Sequence, residues 1–225
     1  MREKMKKRGI CEIVLRAVIL CVGLIIAHLG VTLFLLSDLG ADPFNVLVQG
    51  VFRTISSVPF LSFMTHGYTH ICICLLIIFI LLVTDKKYIK IGTLICMVFG
   101  GPIIDFFSVV IKPMLNADSN IVIRVVSLAI GCVVLAYGMT IVIKSDSGTG
   151  PNDLVSVVLS DKLHKKFSFV RVIVDVLFIV VGFVLGGKFG AGTLICACLV
   201  GPVAGVFLPV NEKIIEAVVS RFIKK

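Results

Sequence analysis

Six long runs of apolar residues divide the chain, and each is long enough to cross a lipid bilayer as a helix. A span needs about 20 mostly apolar residues. The runs are continuously apolar, whereas the strands of a membrane barrel alternate, so helices are favoured. We therefore predict an all-α polytopic membrane protein with six transmembrane helices. The predicted spans are Ile13–Leu36, Phe60–Val83, Ile91–Ile111, Ile121–Ile143, Phe167–Gly186 and Ala191–Val210.

Three shorter segments carry a helical pattern without the length of a span. Phe44–Ile55 and Asn152–Ser160 follow the first and fourth spans, and we predict them to be short re-entrant or interfacial helices. Near the C-terminal end, six apolar residues fall on one side of a helix: Ile214, Ile215, Val218, Val219, Phe222 and Ile223. This pattern is typical of an amphipathic helix at a membrane surface. A solubilising tail is the alternative for this last segment.

The composition agrees with a membrane protein. Of the 225 residues, 58% are hydrophobic and 16% are charged, whereas soluble proteins average about 45–50% and about 25%. The net charge is +9, which in a soluble protein would suggest binding to nucleic acid. The positions of the charges decide between that explanation and a topological one.

Positive charge is unequally divided between the two sides that six spans define. Sixteen of the 22 Lys and Arg residues lie on one side, whereas Arg53, Lys112 and Lys188 lie on the other. Basic segments stay in the cytoplasm, so we predict a multi-pass protein of the cell membrane with both termini cytoplasmic. The expected partner of this chain is the lipid bilayer, and no nucleic acid is expected. The sixteen residues lie within residues 1–12, 84–90, 144–166 and 211–225.

The two halves of the chain resemble each other. Residues 16–43 and 124–151 are identical at ten of 28 positions, and residues 92–102 and 192–202 at seven of eleven. Each half holds three spans, an odd number, so the second half enters the membrane from the opposite side. We therefore predict an inverted 3+3 repeat. Its parts are a basic N-terminal segment (1–12), the first repeat (13–117), the second repeat (118–210) and the C-terminal segment (211–225).

Both halves carry a Gly-Pro pair inside their third span, at Gly101-Pro102 and Gly201-Pro202. Proline lacks a backbone donor and clashes with the preceding turn, so we predict broken or kinked helices there. Paired interruptions in inverted halves indicate a secondary-transporter architecture with a site at the repeat interface. A kink that serves only packing is the alternative.

A second repeated motif, Ser-Asp-x-Gly-x-x-Pro, ends the first and fourth spans. A residue such as Asp42 before Pro43 is typical of a helix N-terminus, and helix N-termini directed into a cavity would attract an anion. Copies on opposite sides of the membrane would suit two gates, whereas turn and capping chemistry is the alternative for the serines. The candidate gate residues are Ser37, Asp38, Gly40, Asp42, Pro43, Asn45, Ser145, Asp146, Gly148, Pro151, Asn152 and Asp153.

At these residues the chain resembles the YczE/YyaS/YitT-like family of bacterial integral membrane proteins. The resemblance covers nearly the whole chain after the first ten residues, and it implies a polytopic protein of a bacterial membrane. It supplies neither a substrate nor a set of site residues. It is carried by Leu-Gly-Ala-Asp-Pro-Phe at 39–44, Gly-Thr-Gly-Pro-Asn-Asp at 148–153, and the Gly-Thr-Leu-Ile-Cys and Gly-Pro segments of the third and sixth spans.

Charged side chains inside a span are costly, so each is a candidate for function. Asp105 lies three residues beyond the first Gly-Pro pair, and Asp175 lies near the middle of the fifth span. Gly205 and Leu75 occupy the corresponding positions of the other half. This asymmetry suits a proton or cation coupling site. An i,i+4 ion pair with Arg171 is the alternative for Asp175.

The second span begins with polar residues that include His66 and His70. Their i,i+4 spacing would suit two metal ligands, but no third ligand accompanies them, so a cavity or interface location is favoured. The eight cysteines form no Cys-x-x-Cys motif and are expected to be small apolar residues. We expect neither a metal nor a cofactor.

The sequence contains no nucleophile elbow, phosphate-binding loop, zinc-hydrolase motif or dinucleotide fingerprint, so an enzyme is not expected. The leading hypothesis is a small secondary transporter or exporter of an unidentified small solute, coupled to a cation gradient through Asp105 or Asp175. A membrane accessory protein that binds a partner or a lipid without transport is the alternative. The sequence leaves the oligomeric state open.

Overall fold

The computed structural model describes residues 9–40, 42–56, 64, 66–115 and 119–223. In this part of the chain the regular elements are helices, and a short 3₁₀ turn at Lys86–Tyr88 precedes the fourth of them. The eight α-helices are α1 (Ile10–Leu36), α2 (Pro43–Ser56), α3 (His66–Thr84), α4 (Ile91–Ile111), α5 (Ile121–Lys144), α6 (Pro151–Leu163), α7 (Phe167–Val184) and α8 (Ala191–Ile223).

The all-helical membrane architecture is confirmed. Five of the described helices, α1, α4, α5, α7 and α8, are long and apolar enough to cross a membrane, and α3 carries a shorter apolar stretch at Tyr68–Thr84. The bounds of α4 are those predicted, and those of α1, α5 and α7 differ by a few residues. The first part of the predicted span Phe60–Val83 lies outside the described residues. Six spans in an inverted arrangement stay a prediction.

The two short segments are helices, as the sequence predicts. Helices of 14 and 13 residues, α2 and α6, are about 20 Å long at 1.5 Å per residue, which is too short for a hydrocarbon core of about 30 Å. Both begin at a proline that is buried, Pro43 and Pro151. Each therefore starts inside the protein.

The helices continue through both Gly-Pro pairs. Pro102 lies inside α4, and Pro202 and Pro209 lie inside α8. The helices are therefore not broken at these prolines, and a kink there stays a prediction. The C-terminal segment from residue 211 is likewise continuous with α8, where Ile215 and Val219 are buried on one face.

The first helices of the two halves, α1 and α5, pack against each other in antiparallel orientation. A Cβ on Gly30 would overlap the backbone of Leu135, and a Cβ on Gly138 would overlap the backbone of Ala27. Glycine is needed at both positions because the helix backbones touch. The largest core cluster lies beside this contact, between α1, α5 and α8, and includes Phe34, Leu128, Cys132, Met139 and Val200.

Two arginines at equivalent positions of the halves bind the loop of the other half. Arg124 donates hydrogen bonds to the carbonyl oxygens of Ser37 (2.7 Å) and Asp38 (2.6 Å). Arg16 donates to the carbonyl oxygen of Ser145 at 3.2 Å. These carbonyls belong to the C-terminal ends of α1 and α5, which lack helical partners. Each half therefore satisfies the helix end of the other.

The same loops also bind the N-termini of the last helices. The backbone N–H of Gly192 donates to Leu39, and that of Gly92 donates to Ser147, both at 2.9 Å. A Cβ on Gly40, whose φ is 146°, would lie 2.6 Å from the Thr193 hydroxyl. The Ser-Asp-x-Gly-x-x-Pro motif of each half therefore contacts the Gly-Thr-Leu-Ile-Cys segment of the other half.

Loops with many lysines gather at one end of the bundle. The Tyr88 hydroxyl donates a hydrogen bond to Asp161 at 3.0 Å, and Lys90 pairs with Asp146. These are segments that the charge count predicts to share a side. We call this end, formed by residues 85–90, 144–147 and 160–166, the basic end.

The other loops meet at the opposite end. Arg53 donates to the carbonyl oxygen of Gly186 at 2.7 Å, and the backbone N–H of Lys188 donates to the side chain of Gln49 at 2.6 Å. The separation into two ends therefore follows the predicted sides. The opposite end is formed by residues 37–40, 53–56 and 185–190.

We expect Gly138→Ala to lower the free energy of unfolding by about 1–3 kcal/mol, because the added methyl group must push α1 and α5 apart. Thermal unfolding of the detergent-purified protein measures the change. Gly101→Ala is the matched control, since no described atom lies within 4 Å of a Cβ at that position. Equal melting temperatures for the two variants would contradict the close α1–α5 contact.

We expect Arg124→Gln to lower the free energy of unfolding by about 1–3 kcal/mol, because two carbonyl groups lose their charged donor. Arg16→Gln should have a smaller effect, since Arg16 serves one carbonyl at a longer distance. The same unfolding assay applies, with exposed Arg221→Gln as the control for loss of one positive charge. An effect of Arg221→Gln as large as that of Arg124→Gln would show that charge alone matters.

Candidate functional site

Arg171 lies inside the bundle between two carboxylates. Its Nε donates a hydrogen bond to Asp175 Oδ2 at 2.9 Å, and its Nη1 pairs with Asp153 Oδ1. Asp175 is 1% exposed and Arg171 is 7% exposed. Ionisable residues at such a depth in a membrane protein are costly and are paired where they occur. We call these three residues the Arg171 cluster.

Two helices position the cluster. Arg171 and Asp175 are one turn apart on α7 and therefore share a face. Asp153 lies in the first turn of α6, where the positive end of the helix dipole stabilises a carboxylate. Asn152 donates a hydrogen bond to Asp153 Oδ1 at 3.0 Å. The Arg171–Asp153 pair thus connects α7 to the N-terminus of α6.

Asp175 uses only one of its two oxygens. Oδ2 accepts the hydrogen bond from Arg171, whereas Oδ1 is buried and has no hydrogen bond to any described residue. An unsatisfied buried polar atom costs about 1–3 kcal/mol, and more if it is charged. A cation bound at Oδ1 would give this oxygen a partner, and a proton bound there would remove its charge.

The N-terminus of α2 approaches the same region from the other half. Asp42 caps α2 by accepting a hydrogen bond from the backbone N–H of Asn45 at 3.1 Å. The ring of Phe44 packs edge-on against Phe178 of α7, with centroids 5.4 Å apart. The N-termini of both short helices therefore converge on the middle of α7.

His28 lies between α1 and α4. Its Nδ1 is 2.8 Å from the carbonyl oxygen of Leu24, and its Nε2 faces α4, where a Cβ on Gly100 would lie 2.7 Å away. Both ring nitrogens of His28 are therefore directed at helix backbone, one at α1 and the other at α4.

The residues around the Gly-Pro pairs are not brought together. Gly201 is buried, and a Cβ there would lie 2.7 Å from the Ser168 carbonyl oxygen of α7. Gly101, Pro102 and Pro202 are exposed on the surface of the bundle. Asp105 is exposed as well, on α4. Of the two predicted acidic residues, only Asp175 lies inside the protein.

The first part of each Ser-Asp-x-Gly-x-x-Pro motif forms a cap. The hydroxyls of Ser37 and Ser145 donate to the carbonyl oxygens three residues earlier, at 2.6 and 2.7 Å. Asp38 and Asp146 adopt left-handed backbone conformations, with φ of 49° and 55°. Ser37 and Ser145 are therefore the C-caps of α1 and α5, and a gate role for the motif stays a prediction.

The remaining motif residues divide between the loop and the cluster. Gly148 packs against the N-terminus of α4, as Gly40 does against that of α8. Asn45 binds the Asp42 carboxylate through its side chain as well as its backbone. The later motif residues, Asp42, Pro43, Asn45, Pro151, Asn152 and Asp153, form the two helix N-termini that approach α7.

The two predicted histidines of α3 differ in what is described. The side chain of His66 lies outside the described part, whereas His70 packs edge-on against Phe44 with ring centroids 5.3 Å apart. In the described residues no three His, Cys, Asp or Glu side chains gather as a metal site requires. The contact of His70 with the first residues of α2 agrees with an interior location.

Sequence reasoning found the Arg171–Asp175 pair as an alternative but missed its third member. The i,i+4 spacing reveals only partners on the same helix. Asp153 lies 18 residues before Arg171, on a different helix. The roles of Arg16 and Arg124 were also missed, although their recurrence in both halves was a usable signal. Only the antiparallel packing of α1 on α5 shows which carbonyl groups they bind.

Three proteins resemble the chain over most of its length. Uncharacterized protein YyaS of Bacillus subtilis is 30% identical over 193 residues, which cover 85% of this chain and 92% of that protein. Uncharacterized membrane protein YczE of Bacillus subtilis is 26% identical, with 93% of each chain covered. An uncharacterized protein of Haemophilus influenzae is 27% identical, with 87% of this chain and 84% of that protein covered.

No solved structure matches the chain. The profile of DUF6198, a family of unknown function, matches residues 14–209. This range includes α2, α6, α7 and therefore every residue of the Arg171 cluster. From its apolar helices and these matches, the chain is an integral membrane protein that belongs to the DUF6198 family.

Proposed function

We propose that the protein is a small secondary transporter or exporter of an unidentified small solute, coupled to protons at Asp175. The observation that carries the proposal is the unsatisfied Oδ1 of this buried carboxylate. Well-packed apolar residues stabilise a protein as much as a buried ionic cluster does. A contribution to stability alone therefore does not explain why the cluster is present. Intramembrane acidic residues are typical of proton and ion pathways.

The chemistry of the cluster supports coupling. When Asp175 is ionised, Arg171 is shared between two carboxylates on different helices. A proton on Asp175 weakens its hold on Arg171, which then pairs more fully with Asp153. The pairing between α7 and α6 thus depends on the protonation of Asp175. A cationic solute that binds Asp175 would compete with Arg171 in the same way.

The paired architecture supports transport as well. Two short helices with buried N-termini, one from each half, approach a polar centre inside the bundle. Discontinuous helices that end near the membrane midplane, in halves of opposite orientation, are typical of secondary transporters. The reciprocal contacts of Arg16 and Arg124 are those expected of two such halves.

We expect a pH jump to produce a transient proton-binding current in wild-type proteoliposomes on a solid-supported membrane. Asp175→Asn should abolish it, because the amide cannot take up the proton while its oxygen can still accept the bond from Arg171. The probe is the proton alone, so no solute need be known. Glu216→Gln, which removes an exposed carboxylate of α8, should leave the current unchanged.

Solute flux completes the test. Proteoliposomes containing a pH-sensitive dye are exposed to amino acids, organic cations and sugars in turn, and a transported solute should move protons in wild type and not in Asp175→Asn. Currents and fluxes unaffected by both Asp105→Asn and Asp175→Asn would rule out cation coupling at either residue.

A second candidate function is a membrane accessory protein that binds a partner or a lipid without transport. Two observations favour it. The helices are continuous at the Gly-Pro pairs, and two surface clefts, of about 620 and about 290 Å³, are lined by neither Asp105 nor Asp175. Absence of any proton current in the wild-type protein would select this function.

We also propose that the basic end faces the cytoplasm, from the distribution of lysine and arginine. Green fluorescent protein fused after Lys225 should therefore fluoresce, and alkaline phosphatase at the same place should be inactive. Phosphatase inserted in the loop at residues 186–188 is the matched fusion and should be active. The reverse result would invert the orientation without affecting the helical contacts.

A further inference from the structure

Two loops at the basic end form a surface that carries five exposed lysines. The 3₁₀ turn at Lys86–Tyr88 and the C-terminal part of α6 are joined where the Tyr88 hydroxyl donates to Asp161 Oδ2 at 3.0 Å. The two loops are therefore neighbours in space, although the bonded residues are 73 positions apart in sequence. We call the exposed lysines of these loops the lysine patch: Lys86, Lys87, Lys162, Lys165 and Lys166.

The loop between α6 and α7 has a defined backbone conformation. The backbone N–H of Lys165 donates to the carbonyl oxygen of Ser160 at 3.1 Å, and the Ser160 hydroxyl donates to the carbonyl oxygen of Lys165 at 2.8 Å. His164 between them adopts a left-handed conformation, with φ of 51°. A left-handed residue after the last turn is a common helix cap. The cap fixes the backbone that carries three lysines of the patch.

Most of the lysine patch lacks the carboxylate partners that other lysines of the basic end possess. Lys144 pairs with Glu212 at 2.9 Å, and within the patch Lys87 lies 3.4 Å from Asp85. Residues 85–90 and 160–166 contain two aspartates against the five lysines of the patch. The surface therefore keeps a positive charge. Among the described residues no carboxylate lies within 4 Å of the amino groups of Lys86, Lys162, Lys165 and Lys166.

Exposed apolar side chains adjoin these lysines. Leu163 follows Lys162 at the end of α6 and is 58% exposed, and Phe169 lies one turn beyond Lys166 on α7 and is 61% exposed. Val83, near the end of the apolar helix α3, is 73% exposed. Because α7 is long and apolar enough to cross a membrane, its first turn lies near the boundary between headgroups and hydrocarbon. A cationic surface therefore borders an apolar one at this depth.

This combination matches an anionic phospholipid better than it matches other anions. Clusters of lysine at the ends of membrane helices attract anionic headgroups, and the exposed apolar side chains suit the acyl chains of the same molecule. An acidic protein, a nucleic acid or free phosphate would match the lysines and leave Leu163 and Phe169 without a partner. The charge and the apolar border together favour the lipid.

We propose that the lysine patch binds the headgroup of an anionic phospholipid whose acyl chains pack against Val83, Leu163 and Phe169. A headgroup bound there connects the 3₁₀ turn to the loop between α6 and α7, which Tyr88 and Asp161 also join. Since this loop links the two helices of the Arg171 cluster, the lipid stabilises their packing. The inference does not depend on the proposed transport function.

Native mass spectrometry of the full chain in an uncharged detergent tests the proposal. We expect phosphatidylglycerol to bind with a Kd about tenfold lower than phosphatidylcholine with the same acyl chains, and to raise the melting temperature. The triple variant Lys162→Gln/Lys165→Gln/Lys166→Gln should raise the Kd for phosphatidylglycerol about 10–100-fold, because each lysine near an anionic headgroup contributes about a factor of five. Lys86→Gln/Lys87→Gln, on the other loop, should act in the same direction and serves if the triple variant fails to fold.

Two further variants separate the contributions of charge and apolar contact. Lys112→Gln/Lys188→Gln/Arg221→Gln removes three exposed positive charges outside the patch, so it should leave the preference for phosphatidylglycerol in place. Leu163→Asn/Phe169→Asn keeps every charge and should weaken the binding of phosphatidylglycerol about fivefold. Both variants change exposed side chains, so without lipid they should melt at the wild-type temperature.

The outcomes decide between the lipid and its alternatives. Equal Kd values for phosphatidylglycerol and phosphatidylcholine in the wild type would overturn the proposal. Equal losses in the patch variant and in the charge-matched control would also overturn it, because net charge alone would then explain the preference. Glycerol phosphate that binds as tightly as phosphatidylglycerol, or an unchanged Kd in Leu163→Asn/Phe169→Asn, would show that the patch takes a soluble anion instead.

Discussion

Carbonyl groups at the C-terminal end of a helix have no partner within that helix and must be satisfied elsewhere. The loops after α1 and α5 meet this constraint through the other half of the chain. Arg124 binds the carbonyl groups after α1, Arg16 binds the one after α5, and the N-termini of α8 and α4 donate to the next carbonyls. Since each half completes the hydrogen bonds of the other, neither loop is satisfied until both halves have packed together.

The same interlock positions the candidate site. Each loop turns the chain back into the protein, so α2 and α6 begin at buried prolines, and their N-termini approach α7. The positive end of α6 supports Asp153, and Asp153 in turn holds Arg171. The N-terminus of α6 therefore helps to stabilise the charges of the cluster. This helix end lies inside the protein because the preceding loop directs the chain back into the bundle. The structural motif and the functional candidate share residues for this physical reason.

The sequence indicated the candidate site only in part. Its most visible signals were the Gly-Pro interruptions of the spans, whereas the candidate site is formed by ion pairs between helices. Proline inside a span suggested a break, yet α4 and α8 continue through their prolines. Of the two glycines that precede these prolines, Gly201 packs against α7, whereas no described atom lies within 4 Å of a Cβ on Gly101. Asp105 and Asp175 looked equivalent as charges in apolar runs, but one faces outward from α4 and the other is buried beside Arg171. A hydropathy pattern records that a charge lies in a span and not which face of the bundle it occupies.

What the sequence determined by itself was set by short-range physics. Apolar length defined the membrane helices, proline and aspartate marked the start of α2, and the repetition of Arg, Ser-Asp-x-Gly and Gly-Pro marked two related halves. Tertiary structure decided the rest: which carbonyl groups the arginines bind, that Asp153 of α6 joins Arg171 and Asp175 of α7, and that Gly201 of α8 packs against α7. These features depend on the packing of helices distant in sequence, and such packing is absent from any local pattern of residues.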